Sequence, residues 1–124
     1  GATRNWCKTI IEWNLASDEN QKPHTEGGCS SCLGAVTITG NSVQRNTAYY
    51  VIAHASKFVP PGSVRLHSSS SSTLPNVSFL TPEEKIVTIV LNDSSNKINF
   101  NIILDGKDIH SSLNAGAIGT FVLN

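Results

Sequence analysis

The 124-residue sequence is 39% apolar and sets nine Lys and Arg against nine Asp and Glu, which suits one ordinary hydrophobic core. The neutral balance excludes the electrostatic grip that nucleic acid or an anionic membrane surface requires. No apolar run approaches the roughly 20 residues of a membrane-spanning helix. The Gly-Ala start without an initiator Met reads as a processed or excised piece.

In chain order, Asn5 to Thr9 is expected to be the frayed end of a helix, too short to be stable alone. It leads into Ile10 to Ala16, Ile-Ile-Glu-Trp-Asn-Leu-Ala, an apolar run that carries an acid, an indole and an amide and is followed at once by polar, turn-rich residues. This is the pattern of a buried strand that ends at a site. At the carboxyl end of a parallel barrel strand, Trp13 and Asn14 suit sugar or ring binding. A plain core strand with Trp13 as filler is the competing reading.

Ser17 to Cys32 forms a long loop, and loops of that length inside a domain are functional or disordered. It ends in a Cys-x-x-Cys pair, Cys29 and Cys32, while Cys7 stands apart. A local disulfide in an exported protein is the leading reading, two reduced thiols the second. A zinc site, the third, needs two more ligands from His24 and Cys7. Leu33 to Thr39 is a short strand closed by Gly40-Asn41.

Asn46 to Phe58 is the one convincing helix. Asn46 or Thr47 caps it, Ala48, Ile52, Ala55 and Val59 recur at helical spacing to define a buried face, and Pro60-Pro61-Gly62 stops it. His54 sits in its last turns, where a structural role is expected.

Beyond Gly62 the period becomes alternating. Residues 63–67, 77–80, 86–91, 97–104, 108–113 and 118–123 read as strands, with Ile98, Phe100, Ile102 and Leu104 on a dry face opposite Asn99 and Asn101. Asn92 to Asn96 and Asp105-Gly106 supply hairpin turns, and Ser68 to Thr73 is a low-complexity surface loop. The fold expected is therefore mainly β, an antiparallel β-sandwich over 63–124, preceded over 1–62 by a β-loop-β-α segment. Asn76-Val77-Ser78 and Asn92-Asp93-Ser94 are glycosylation sequons, relevant in a secreting eukaryote.

Chemistry can be weighed from the acids alone. A retaining glycosidase needs two carboxyl groups about 5 to 5.5 Å apart, and Glu12 is the one acid in an apolar strand that could raise its pKa. The other acids fall in turns, loops or strand edges. No Gly-x-Ser-x-Gly elbow and no phosphate-binding loop occurs, so no catalytic residue, cofactor or metal is assigned.

The stretch Trp13-Asn14-Leu15-Ala16, Tyr49-Tyr50, the run His54-Ala55-Ser56-Lys57-Phe58-Val59-Pro60-Pro61-Gly62-Ser63, then Ile89-Val90-Leu91-Asn92 and Gly116-Ala117-Ile118-Gly119-Thr120-Phe121-Val122 together resemble the C-terminal end of glycoside hydrolase family 30. That is the family of glucosylceramidases and related bacterial β-glycanases. The likeness runs through essentially the whole chain. It implies a (β/α)8 barrel fused to a side β-sandwich, with Ile10 to Leu15 as the last barrel strand and Asn46 to Phe58 as the last helix. It also implies retaining hydrolysis by a Glu pair on earlier strands, outside this chain. Trp13 carries over as a wall of the sugar pocket, and Glu12 as a matched acid that is not catalytic.

The expected function is thus the C-terminal portion of a retaining β-glycosidase, inactive alone, from a secreted or periplasmic protein. Its partner is a β-glycoside or glycan, held through the intact enzyme. The sheet should have an open edge that pairs with another chain or with the absent barrel. His24 and Thr25 depart from a more Gly- and Asn-rich turn in the family. The alternative is a free-standing carbohydrate-binding or adhesion module with Trp6, Trp13, Tyr49 or Tyr50 as platforms. Against it, the sandwich region offers as aromatics only Phe79, Phe100 and Phe121, all in strands where burial is expected.

Overall fold

Alternation in the second half of the chain builds two antiparallel sheets. In the computed structural model, which describes residues 1–69 and 71–124, strands β4 (Val64–Leu66), β5 (Asn76–Leu80), β6 (Ile86–Leu91) and β9 (Ile118–Leu123) form one sheet in the order β4-β5-β6-β9. Strands β7 (Ile98–Leu104) and β8 (Lys107–Leu113) form a hairpin facing it. The hairpin's turn is Asp105-Gly106, with φ of 49° and 77°. Two positive φ values are what a type I′ turn needs to match strand twist.

The core is small. Val87 and Val90, on opposite faces of β6, are 1% and 4% exposed. Between them Thr88 shares a 2.9 Å hydroxyl hydrogen bond with its register partner Ser78. Phe100 of β7 meets Phe121 of β9 edge to face, centroids 5.7 Å apart, and so joins the sheets. Along β7 the alternation holds: Ile98, Phe100, Ile102 and Leu104 are half-buried while Asn99 and Asn101 are exposed. Packing is incomplete, since a space of about 550 Å³ bordered by Leu66, Ser78, Thr88, Phe100 and Ile102 remains between the sheets.

The first half departs further from expectation. Its opening helical turn is a 3-10 helix at Ala2–Asn5, ended by Trp6 in the left-handed region, and it precedes the expected 5–9. The strand expected at Ile10 to Leu15 is absent. Strand β1 is Ala16–Asp18, with pairing prepared by the carbonyls of Asn14 and Leu15, which accept from the amides of Ala35 and Val36. The physical reason is that the apolar run finds nothing to bury against: among the described residues no strand pairs with Ile10 to Trp13, and Ile11 is 88% exposed.

Strand β2 (Val36–Thr39) runs parallel to β1 and antiparallel to β3 (Ser42–Arg45). The hairpin β2-β3 was not expected from the sequence; Gly40, at φ 57°, makes its two-residue turn. Helix α1 (Thr47–Ser56) follows, one residue shorter at its start and two at its end than expected. Its presumed core face is only half-buried, because α1 touches the sandwich mainly at β9, where His54 Nδ1 lies 2.7 Å from Thr120 Oγ1.

The serine tract is partly anchored. Arg4 donates from its guanidinium to Ser68 Oγ at 2.9 Å, to the Ser68 carbonyl at 2.8 Å and to the Asn76 carbonyl at 2.9 Å. The loop expectation at Ser70 lies outside the described residues. The described residues are mainly β, with antiparallel sheets stacked as a sandwich, one α-helix and one parallel strand pair. Among the described residues no helix is long and apolar enough to cross a membrane.

Candidate functional site

Glu12, Trp13 and Asn14 lie on irregular backbone that feeds β1. Trp13 is 66% exposed, so its indole offers an open face of the kind that stacks on a sugar ring. Glu12 is exposed as well. Asn14 is half-buried and fixed: its carbonyl accepts from Ala35 N at 3.2 Å, and its Oδ1 is buried without a hydrogen-bond partner.

The neighbour that fixes it is Gly34. A Cβ on Gly34 would stand 3.0 Å from the backbone of Ala16 and Ser17, and closer still to Asn14 Oδ1, so only glycine lets the chains approach. Gly34 N donates to Ser17 Oγ at 3.3 Å, and Ser17 is 3% exposed. Asn46, which the sequence suggests as a helix cap, instead turns its Nδ2 to the Gly34 carbonyl at 2.8 Å and to Thr37 Oγ1 at 2.9 Å. Gly34, Ser17 and Asn46 were missed as supports of the site; the Gly two residues after the Cys-x-x-Cys pair was the one available signal.

Cys29 and Cys32 are joined as a disulfide with Cα atoms 5.6 Å apart, and Cys7 is free and exposed. The pairing removes the two thiolates on which a zinc reading depended. Among the described residues no group of three or more His, Cys, Asp or Glu converges.

None of the nine carboxylic side chains is buried. Asp18, half-buried, spends its Oδ1 on the amides of Asn20 and Lys22, both at 2.8 Å. The arrangement therefore offers an aromatic platform beside a rigid backbone corner, and no sequestered pair of acids for glycosidic cleavage. Trp6 is a second open indole, with Arg65 stacked 3.8 Å from its centroid.

Known proteins share this chain's sequence and shape. The chain is 30% identical to the endo-1,6-β-D-glucanase neg1 of Aspergillus fumigatus, over 99% of its own length and 27% of that enzyme. It is 32% identical to the lysosomal acid glucosylceramidase of Mus musculus over 73% of its length and 18% of that enzyme. Among solved structures, the endo-β1,6-glucanase BT3312 superposes with a TM-score of 0.77 at 31% identity, covering 95% of this chain and 27% of that one. The chain thus spans about a quarter of the first curated relative it matches. Residues 62–121 match the glycosyl hydrolase family 30 β-sandwich domain, and that segment of the chain is a family 30 sandwich.

Proposed function

We propose that this chain is the C-terminal portion of a retaining family 30 β-glycosidase that cleaves a β-1,6-linked glucan outside the cell, with the catalytic Glu pair supplied by other parts of the intact enzyme. The observation that carries this reading is the alignment of 99% of the chain with a quarter-length stretch of an endo-1,6-β-D-glucanase. Residues 1–62 are then the closing segment of a barrel and residues 63–124 the side sandwich. Trp13 stacks on the sugar at the bond to be cut, Asn14 holds the backbone beneath it, and Glu12 contributes polarity without transferring a proton. A sphingolipid glycoside is the substrate of the second reading, favoured by the likeness to the glucosylceramidase.

The test is hydrolysis of an aryl β-glucoside and of β-1,6-glucan by the purified chain and by its Glu12→Gln variant. No turnover above buffer is expected from either. Turnover that disappears with Glu12→Gln would overturn the assignment of catalysis to other parts of the enzyme. In the intact enzyme, Trp13→Ala is expected to lower kcat/KM on β-1,6-glucan by about tenfold or more, the worth of a stacked aromatic.

A further inference from the structure

The connection from β1 to β2, residues 19–35, is tied down at both feet while its middle stands in solvent. At the near foot, Asp18 Oδ1 accepts from Asn20 N and Lys22 N, and Asp18 N donates to the Lys22 carbonyl at 2.8 Å. At the far foot, the Cys29–Cys32 disulfide comes two residues before Gly34, which is locked against Asn14 and Ser17. Between them Gly28 N donates to the Thr25 carbonyl at 2.9 Å, and His24, Thr25 and Glu26 are exposed.

Ties at both feet hold a long irregular connection in one shape while its tip stays open to solvent. This one leaves the carboxyl end of a parallel strand, where binding loops are carried on rigid scaffolds. Its far foot also abuts Asn14, the residue next to the exposed indole.

We propose that the stapled connection 19–33 is a specificity element that selects a polymeric glucan over a small glycoside, with Cys29 and Cys32 as positioning residues. The inference rests on the glucanase reading above. A polymer has sugar units beyond the one stacked on Trp13, and these meet the hydroxyl, imidazole and carboxylate of Thr25, His24 and Glu26. An aryl glucoside reaches only the platform. A loop held in its binding shape beforehand loses less conformational entropy on binding, which lowers KM for the polymer alone.

The experiment uses the intact enzyme that contains this chain, with two double variants: Cys29→Ser/Cys32→Ser, which frees the staple, and His24→Ala/Glu26→Ala, which keeps it. Each is expected to raise KM for β-1,6-glucan by about three- to tenfold, with kcat on the polymer and kcat/KM on an aryl β-glucoside changing less than about twofold. An unchanged polymer KM in both variants overturns the proposal. So does an equal loss on both substrates, with or without a lower melting temperature, because that marks a merely structural or a catalytic role. If the unmodified enzyme turns over an aryl β-glucoside but not β-1,6-glucan, the glucanase reading itself fails and takes this proposal with it, an outcome distinct from the other two.

Discussion

Asn92 shows how one polar residue can organise a turn. It is fully buried, and its Nδ2 donates to the carbonyls of Asn96, Leu113 and Asn114 at 2.7, 3.0 and 3.0 Å while its Oδ1 accepts from Ser94 N and Oγ. It thereby closes the β6–β7 turn and pins the end of β8 to it. Replacing it with Ala leaves three part-buried carbonyls without that donor, so Asn92→Ala is expected to cost about 1 to 3 kcal/mol, read as a lower denaturant midpoint. A loss below about 1 kcal/mol would show that water satisfies these groups. The same bonds bear on the two sequons. A glycan on Asn92 takes one Nδ2 hydrogen and requires this fully buried amide to leave its place, and the Asn76 amide is engaged by the carbonyls of Ser69 and Leu74. At the residue scale the Cys29–Cys32 pairing expected from the sequence is present in the structure. The sequence did not disclose Gly34, whose role depends on a close approach to Asn14 that no local pattern encodes.

Among the elements, the strands with a strong apolar pattern were the most legible. Strands β6 and β9 fall at the expected residues, and β7 and β8 within one residue, because alternation and a two-residue turn together fix register. That logic predicts the effect of Gly106→Val. A β-branched residue at φ 77° is strained, so the hairpin should lose about 1 to 2 kcal/mol without a change in m-value. An unaltered midpoint would mean that the turn relaxes to another type. Hairpin β2-β3 went unseen because Ser42 to Arg45 is exposed along its whole length and so carries no apolar alternation. The Ile10 to Leu15 strand failed for the opposite reason: its pattern is right, but a strand is completed by a neighbour, and pairing starts only at Asn14.

For the molecule as a whole, the distribution of exposed apolar side chains decides its behaviour. Trp6, Ile10, Ile11, Trp13 and Leu15 form one stretch with exposures from 51% to 88%. Strands β4 and β9 are the two outer strands of the larger sheet, each paired on one side among the described residues. Contiguous apolar surface beside unpaired strand edges favours association, since burial returns roughly 25 cal/mol per Å² and an edge offers ready donors and acceptors. The isolated chain is therefore expected to elute from a sizing column as a concentration-dependent mixture larger than a 124-residue monomer. Ile11→Lys with Leu15→Lys should shift it towards monomer, because both side chains lie in that stretch and neither is buried in the fold. If the edges of the sheet dominate instead, the double variant will associate as before, whereas charges placed on β4 at Val64 will disperse it. A strictly monomeric chain at every concentration would mean that neither surface drives self-association.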